Sequence, residues 1–316
     1  MNGMRANARL LLEFVKLGRP HFLFGGFVLY GLGATIARVS GQSFSIGAYL
    51  WGQAAITAFQ LMTHYANDFF DFAADVANAT PTRFSGGSRV LPTGGLPRRV
   101  ALVAAIVLAC LGLAATFALA FQPVANAHEV ACVLVTIAIL AWAYSAPPCA
   151  LHSRGLGELT TAIVVTGLTP WVGYRLQGGE TPRLLFVALL PLMLLQFNML
   201  LTIEFPDADG DRRTGKKTLV VRFGPAIAAL TSQGALISVY AWLPLLMRLG
   251  LPSRVALSVA LGLPLAAWQW WRLSRRAWAT PAEWEALAFR SVALLVGTAS
   301  IELVAFLIVR AGVAPN

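Results

Sequence analysis

The amino-acid sequence predicts an all-α membrane protein, a polytopic bundle of about nine transmembrane helices. Of its 316 residues, 57% are hydrophobic and only 12% are charged, a balance that excludes an ordinary soluble domain. Apolar stretches long enough to cross a bilayer recur along the chain. Basic residues concentrate in alternate connections between those stretches, which is the pattern that orients membrane proteins. These three observations together predict the fold class.

Nine apolar stretches define the predicted spans in chain order. They cover residues 21–37, 46–69, 99–121, 128–146, 156–175, 183–205, 225–248, 252–271 and 288–310. Most approach the ~20 residues that a helix needs to cross the hydrocarbon core. Residues 1–20 lack a short apolar core with a cleavage site, so they are predicted to form a retained, interfacial amphipathic segment. The whole chain, 1–316, is interpreted as a single transmembrane domain.

The distribution of Lys and Arg predicts the orientation in the lipid bilayer. With the N-terminus in the cytoplasm, most basic residues lie in the N-terminal segment and after spans two, four, six and eight. The predicted location is the cell membrane, with the loops after spans two and six on the cytoplasmic side. Because the basic residues follow the loops instead of forming one face, the net charge of +10 is interpreted as an orientation signal, and no nucleic-acid partner is expected.

Two acidic clusters lie in the predicted cytoplasmic regions 64–98 and 204–224. The first is in NDFFDFAAD and the second in IEFPDADGDRRTGKKTLVVRFG. Together they contain every aspartate of the chain: Asp68, Asp71 and Asp75 in the first, and Asp207, Asp209 and Asp211 in the second. Acidic groups at membrane depth cost ~2.5–3.5 kcal/mol each on insertion scales, so a function is expected for them. Each cluster follows the second helix of a four-helix set, which predicts two parallel repeats plus a ninth helix.

Helical spacing predicts that five carboxylates and one amide line a single cavity. In the first cluster the aspartates occupy positions i, i+3 and i+7 of one helix face, and Asn67 borders that face. In the second cluster Asp207 and Asp211 are four residues apart, with Glu204 one turn earlier. Asp209 is predicted to point elsewhere. A pseudo-twofold arrangement would place the two clusters opposite one another.

Carboxylates crowded into a low-dielectric site repel one another, so the sequence calls for cations. Paired hard oxygen ligands suit Mg²⁺, which usually shares phosphate oxygens with a substrate. Metal together with Lys and Arg around an anionic leaving group is suited to the departure of a diphosphate.

Basic residues near the clusters are candidates for binding that diphosphate. Arg212, Lys216 and Lys217 follow the second cluster closely, and each can hold phosphate oxygens. Arg83 and Arg89 lie in a glycine-containing loop after the first cluster, which is predicted to close over the substrate. The alternative is that all these residues only hold the loops at the lipid headgroups.

Other interpretations of the acidic clusters remain open at this stage. A single aspartate triplet at the end of a span is also typical of a solvated helix terminus. DADGD resembles the start of a calcium loop, but the glycine and the terminal glutamate that such a loop needs are absent. A cation-coupled transporter also uses buried acids, although these would be expected at mid-membrane rather than at the ends of spans flanked by Lys and Arg.

The paired motifs resemble those of the UbiA superfamily of intramembrane prenyltransferases. NDFFDFAAD fits the NDxxDxxxD motif, DADGD fits the DxxxD motif, and GRP, which contains Arg19, precedes the first span. The resemblance covers nearly the whole chain. It implies that two Mg²⁺ ions on an isoprenyl diphosphate are held, with help from Asn67, by Asp68, Asp71, Asp75, Asp207 and Asp211.

The wording of the second motif is similar to that of the MenA-type branch, which prenylates 1,4-dihydroxy-2-naphthoate. DADGDRRTGKKTLVVRFG resembles its DxxxDxxxGKxTLxVRxG stretch, and YSAPPCALHSRGLGE resembles its tyrosine loop. By this match Tyr144 and Arg154 would lie at the diphosphate or the acceptor, although each is equally typical of an interfacial anchor. His21 stands where that branch usually has lysine.

The resemblance implies a Mg²⁺-dependent membrane enzyme that transfers a prenyl group to an aromatic acceptor. A membrane terpene cyclase that uses the same ionisation is the alternative. Aromatic rings are expected to stabilise the allylic cation in either case. Phe69, Phe70 and Phe72, which flank the first motif, are the predicted apolar wall.

Overall fold

The computed structural model describes residues 2–124 and 126–311, and all regular secondary structure in those two ranges is helical. Met1, Ala125 and residues 312–316 of the predicted 1–316 domain lie outside the described residues. The helices are α1 (Asn2–Leu17), α2 (Leu23–Val39), α3 (Ile46–Phe70), α4 (Phe72–Ala77), α5 (Arg98–Ala120), α6 (Ala127–Ser145), α7 (Gly157–Ile163), α8 (Thr169–Arg175), α9 (Arg183–Ile203), α10 (Ala208–Arg213), α11 (Leu219–Phe223), α12 (Pro225–Ala241), α13 (Leu243–Arg248), α14 (Ser253–Ala260), α15 (Leu263–Ser274) and α16 (Pro281–Ala311).

The predicted spans coincide with helical rods of the described chain. These rods are α2, α3, α5, α6, α7–α8, α9, α12–α13, α14–α15 and α16. Within the residues that the structure describes, five segments are long and apolar enough to cross a membrane, namely Pro20–Val39, Arg98–Ala120, Ala127–Ser145, Arg183–Ile203 and Pro281–Arg310. The all-helical, polytopic membrane fold is therefore confirmed. α1 exposes Leu10, Leu11 and Leu12, and its interfacial position stays a prediction.

Three of the rods are interrupted, each just before a proline. A π-helical turn, Val164–Leu168, joins α7 to α8, α13 restarts after Trp242, and α15 restarts after Gly262. The first turn of the restarted helix contains Pro170, Pro244 or Pro264. Proline lacks the N–H for the preceding turn and its ring clashes with that turn's carbonyl, so the helix breaks and restarts there.

Two clusters of buried apolar side chains form the core. One lies around α3, α5 and α6, the other lies around α9, α12 and α14–α16, and α2 and α8 contribute to both. α2 and α8 approach closely through glycines. A Cβ on Gly33 would lie 1.7 Å from the carbonyl oxygen of Pro170, and one on Gly173 would lie 2.2 Å from that of Tyr30. The small residues thus join the two halves, whose relation as parallel repeats stays a prediction.

Candidate active site

The first acidic segment, residues 67–75, lies where α3 ends and α4 begins. α3 stops just before Asp71, whose backbone (φ −85°, ψ 3°) leaves the helical region, and α4 starts just after it. Hydrogen bonds cross this bend from the Asp71 N–H to the Asn67 carbonyl (2.8 Å) and from the Asp75 N–H to the Asp71 carbonyl (2.9 Å). The register of the helix is kept, and Asp68, Asp71 and Asp75 are all buried.

Asp68 is neutralised by the protein itself. It forms an ion pair with the Arg19 guanidinium and accepts hydrogen bonds from the hydroxyl and the backbone N–H of Ser88, the latter at 3.2 Å. Arg19 also donates to the amide oxygen of Asn67 at 3.0 Å. Charge-assisted contacts of this kind fix both partners.

Asp71 is held by three side chains. The Asn67 amide donates to its carboxylate at 2.5 Å, the Lys216 ammonium lies 3.2 Å from it, and Nε2 of His152 lies 3.5 Å away. Burial opposes ionisation of Asp71, but Lys216 and His152 outweigh burial and hold its pKa below the usual value.

The second acidic segment, residues 204–211, lies where α9 ends and α10 begins. Asp207 accepts a hydrogen bond from the Asn78 amide (2.6 Å) and another from the backbone N–H of Gly86 (3.2 Å). α10 packs closely on α4 because Gly210 has no side chain: a Cβ there would lie 3.1 Å from the Ala74 carbonyl oxygen. This close approach brings the two acidic segments together.

Lys216 bridges the two acidic segments. Its ammonium lies 3.2 Å from Asp71 in the first and 3.1 Å from Asp211 in the second. Burial disfavours the charged amine, but the carboxylates of Asp71 and Asp211 raise the pKa of Lys216 above its ordinary value. The predicted convergence of the two clusters is therefore observed, and a lysine stands at its centre.

Among the described residues, no Lys or Arg side chain forms an ion pair with the carboxylate of Asp75 or of Asp207. Burial, reinforced by Asp68 and Asp71, raises the pKa of Asp75 to about 8, although Arg19 works against the shift. Burial and the neighbouring Asp211 raise the pKa of Asp207 to about 7. Neither of these two carboxylates is thus neutralised by an ion pair within the described residues.

The donor set of the two acidic segments suits a hard divalent cation. One carboxylate oxygen of Asp211 and both of Glu204 are buried without a hydrogen-bond partner. Buried oxygens in that state call for a cation or a donor. Within ranges 2–124 and 126–311, no three His, Cys, Asp or Glu side chains are already arranged as a finished metal site. Lys216 and Arg19 stand among the carboxylates instead.

The other predicted basic residues divide into two groups. Arg89 reaches the first acidic segment, where its guanidinium donates to the backbone carbonyl of Asp75 at 2.5 Å. The remaining four side chains are exposed and contact no buried carboxylate of either segment. Arg212 pairs with Asp209 (2.9 Å), and Arg154 donates to the Pro148 carbonyl (2.7 Å). The Arg83 guanidinium lies 5.9 Å from the centroid of the Phe84 ring, and Lys217 is on the exterior. The pairing of Asp209 with Arg212 agrees with the expectation that Asp209 points elsewhere.

His152 was not predicted to belong to the site. It stacks on Tyr144 (ring centroids 5.1 Å apart, 17° between planes), and its Nδ1 lies 3.8 Å from Glu204. Burial and the nearby Lys216 lower the pKa of His152 to about 4, so the ring is neutral at pH 7. Ser88 and Asn78 were missed too. No spacing rule indicates them, because each reaches the carboxylates from a loop or a helix end outside both motifs.

An apolar cavity of about 250 Å³ extends from the first acidic segment into the bundle. Arg19, Asn67 and Tyr144 line its polar end, and the rest of the lining is mostly apolar, with side chains from α2, α3, α6, α9 and α16 and a few amides, hydroxyls and imidazoles among them. A site with a charged mouth and an apolar interior accommodates an amphiphile whose head is anionic.

The predicted apolar wall of Phe69, Phe70 and Phe72 is wrong. Phe69 and Phe72 lie against the Arg98 guanidinium, at 4.3 and 5.3 Å, and Phe70 packs on Trp142 at 6.0 Å. Phe69 and Phe70, one and two residues after Asp68, turn away from the aspartate face, whereas Phe72, four residues after Asp68, borders that face and lies beyond the interruption at Asp71. The aromatic rings that line the cavity are instead those of Phe22, Phe59, Phe84 and Tyr144.

The fold and the site define an integral membrane protein whose two buried acidic segments meet at one end of an apolar cavity. The chain belongs to the UbiA prenyltransferase family, whose sequence profile matches residues 27–301. Solved structures of similar fold include a UbiA homologue from Archaeoglobus fulgidus bound to DMAPP and Mg²⁺ (TM-score 0.60, 15% identity, 92% of this chain and 98% of that chain). Another is the apo UbiA homologue from Aeropyrum pernix K1 (TM-score 0.60, 18% identity, 89% and 97%).

Curated relatives are more similar in sequence. The bacteriochlorophyll synthase 33 kDa chain of Cereibacter sphaeroides is 29% identical over 170 residues, which is 53% of this chain and 52% of that protein. The chlorophyll synthase of Oryza sativa is 27% identical over 180 residues, 55% and 44% respectively. The digeranylgeranylglyceryl phosphate synthase of Thermococcus gammatolerans is 26% identical over 227 residues, 69% and 72%. The chain spans about half the length of the first two relatives.

Proposed function

We propose that this protein ionises an isoprenyl diphosphate and transfers the prenyl group to an aromatic acceptor. One observation carries the proposal: two buried acidic segments, bridged by Lys216, meet at the polar end of an apolar cavity. An isoprenyl diphosphate has the same division between a charged head and a hydrocarbon chain. Membership of a prenyltransferase family supports the same class of reaction.

Mg²⁺ is the proposed cofactor. The residues that would hold it are Asp68, Asp71 and Asp75 of the first acidic segment and Asp207 and Asp211 of the second, with Asn67 assisting. When bound, the metal would stabilise the negative charge of the departing diphosphate. The UbiA homologue from Archaeoglobus fulgidus, described as bound to DMAPP and Mg²⁺, supports this choice by analogy.

The residues of the chain would position the substrate and supply charge. Lys216 and Arg19 place positive groups where the leaving oxygen becomes negative. The bond between C1 and the diphosphate oxygen breaks, and both its electrons leave with the diphosphate. A ring carbon of the acceptor bonds to C1, and the ring then regains its aromaticity by losing from that carbon either a proton or, where it carries a carboxylate, CO2, with the bonding electrons kept by the ring. The apolar cavity keeps out water, which would otherwise capture the cation.

The first acceptor to test is 1,4-dihydroxy-2-naphthoate. The similarity of the second motif and of YSAPPCALHSRGLGE to the MenA-type branch supports this choice. Tyr144 supports it further, because its ring lines the cavity beside Asn67, where an acceptor would meet C1. Arg154 lies on the exterior, so it is proposed to hold the loop through the Pro148 carbonyl rather than to bind the acceptor.

The products of incubation decide between the candidate reactions. Purified protein would be given Mg²⁺ and geranylgeranyl diphosphate, with and without 1,4-dihydroxy-2-naphthoate, and the extract analysed by mass spectrometry. A prenylated naphthalene that needs both substrates is the expected result. A cyclised hydrocarbon formed without acceptor would identify a terpene cyclase, and absence of any diphosphate release would contradict both.

We also propose that the acidic segments face the cytoplasm and that the protein lies in the cell membrane, as the distribution of Lys and Arg predicts. Ala79 and Thr214 are exposed positions next to the two segments. A single cysteine at either position, in a background without Cys110, Cys132 and Cys149, should react only with reagent added from the cytoplasmic side. Labelling from the opposite side would overturn the orientation.

A further inference from the structure

Gln196 on α9 places an amide in the wall of the apolar cavity. Its residue is only 4% exposed and lines the cavity, and no side-chain hydrogen bond satisfies it within the described part of the chain. The amide is therefore open to the cavity, and polar groups at membrane depth are usually functional. Gln196 can offer its hydrogen bonds to an occupant of the cavity.

The other polar side chains on this part of α9 form hydrogen bonds within the protein. Asn198 accepts a hydrogen bond from the Ser232 hydroxyl at 2.5 Å, although its amide nitrogen is buried without a partner. Thr202 accepts one from the Gln269 amide at 3.1 Å. Both side chains face helices that pack behind α9, whereas Gln196 lines the cavity. The side-chain hydrogen bonds of α9 thus lie on its packed side, and Gln196 on the cavity side has none among the described residues.

Other polar side chains that line the cavity differ from Gln196 because they have hydrogen-bond partners in the protein. Gln60 lies eight residues before Asp68, as Gln196 lies eight residues before Glu204. The Gln60 amide, however, donates to the backbone carbonyl of Phe22 at 2.9 Å. The cavity-lining threonine hydroxyls have partners as well, since each donates to a carbonyl of its own helical rod: Thr63 to Phe59, Thr160 to Leu156, Thr161 to Glu158 and Thr169 to Val164. Gln196 stands apart from all of these.

We infer that the Gln196 amide hydrogen-bonds an oxygen substituent of the aromatic acceptor and so determines which acceptors react. The inference rests on the proposed function. A prenyl chain is pure hydrocarbon and offers the amide no partner, but a hydroxylated or carboxylated ring does. Eight residues of α-helix put Gln196 ~12 Å from the second acidic segment. An acceptor that meets C1 with one edge can reach this depth with its other edge.

The test compares Gln196→Leu with wild type on a set of acceptors. The set is 1,4-dihydroxy-2-naphthoate and three analogues that each lack one oxygen substituent: 1-hydroxy-2-naphthoate, 4-hydroxy-2-naphthoate and 1,4-dihydroxynaphthalene. Wild type should prefer the full acceptor over at least one analogue by tenfold or more in kcat/KM. Gln196→Leu should reduce that preference to less than threefold and leave the KM for geranylgeranyl diphosphate unchanged, because only the acceptor contact is lost.

Gln269→Leu is the matched control. It removes a buried amide that serves Thr202 behind α9, so it should lower the thermal unfolding midpoint and keep the wild-type preference. Gln196→Leu should not lower that midpoint. If wild type prenylates these acceptors and the preferences are unaltered in Gln196→Leu, the inference is wrong and the proposed function stands. If wild type releases diphosphate but prenylates none of the four acceptors, the proposed function fails, and the inference fails with it.

Discussion

The two acidic segments are similar in sequence but differ in how the protein treats their charge. Asp68 and Asp71 in the first segment are neutralised by Arg19 and Lys216. In the second, Asp207 has only neutral donors, and Asp211 shares Lys216 and keeps one buried oxygen without a partner. Apart from Asp75, the first segment is therefore largely preorganised by the chain. The second retains unbalanced negative charge, which a cation from outside would neutralise.

This difference suggests a division of labour. A carboxylate already paired with arginine contributes to holding the fold, and its loss leaves a buried cation behind. A carboxylate without a cationic partner destabilises the empty protein and becomes favourable only when positive charge arrives. Loss of either kind of carboxylate should stop catalysis. In the metal-free protein, however, loss of a paired carboxylate should lower the free energy of unfolding, and loss of an unpaired one should not.

The largest expected effect is from Asp207→Asn compared with Asp68→Asn. Each should lower kcat/KM by at least about a thousandfold, or ~4 kcal/mol, because a proposed metal ligand is lost. In chelator at pH 8, Asp207→Asn should unfold no more easily than wild type, since a repulsive charge is removed. Asp68→Asn should lose ~3–5 kcal/mol, because Arg19 is left buried without its partner.

Thermal unfolding and steady-state kinetics on both variants would check this prediction. Asp209→Asn is the control, because Asp209 is exposed and pairs only with Arg212. It should behave as wild type in both assays. Equal stability losses in Asp207→Asn and Asp68→Asn would contradict the division of labour, and wild-type turnover in either would contradict the metal site.

The next effect concerns the bridge between the segments. Lys216→Ala should lower kcat/KM about a hundredfold, or ~2.7 kcal/mol, because a half-buried cation next to both segments is lost where the leaving group develops charge. Lys217→Ala, one residue further along, should change it less than threefold, since that side chain is exposed. Steady-state kinetics on the two variants decide the matter, and similar losses in both would show that the loop's general charge, not the bridge, is responsible.

A smaller effect is expected from pH on the metal-free protein. The pKa values of Asp75 and Asp207, about 8 and about 7, lie above those of unfolded aspartate, so the folded state binds the extra protons. Stability should therefore be greater at pH 6 and fall as the pH rises through 7 to 8. Unfolding curves in chelator would measure this decrease. Asp75→Asn should flatten the profile, and a wild-type profile that rises over the same range would contradict the assignment.

Much of this architecture is predictable from the sequence, because apolar length and aspartate spacing act locally. The nine rods and the convergence of the two motifs follow from those patterns. The sequence does not predict which of Lys216 and Lys217 reaches the carboxylates, because the conformation of the turn decides which of the two adjacent side chains faces them. The turn is set by Gly215 (φ +79°) and by the bond from the Lys216 N–H to the Asp211 carbonyl. Arg154 was predicted at the substrate because its motif resembles that of a known branch, whereas its guanidinium binds the Pro148 carbonyl of its own loop.

Other features were visible in the sequence but misread or missed. Phe69 and Phe70 follow Asp68 by one and two residues, so helical periodicity alone turns them away from the aspartate face. His152 could not be found in this way, because its contact with Asp71 joins residues far apart in the chain. That Asp207 has no ion-pair partner while Asp211 has Lys216 depends on which neighbours contribute cations, and this is a property of the assembled fold.

The smallest expected effect comes from Arg89, which fixes the loop over the first segment. Its guanidinium binds the carbonyl of Asp75 (2.5 Å) and that of Gly86 (3.4 Å), so it contacts backbone rather than carboxylate. Gly86 in turn donates to Asp207, and the loop therefore links both segments. Arg89→Gln should loosen this link and lower kcat/KM about fivefold, or ~1 kcal/mol, mainly through a higher KM for the prenyl diphosphate. Arg83→Gln is the matched control in the same loop, exposed and without a contact to either segment's carboxylates, and should remain within twofold of wild type. A loss in Arg89→Gln as large as that in Lys216→Ala would instead mean that Arg89 binds the diphosphate directly.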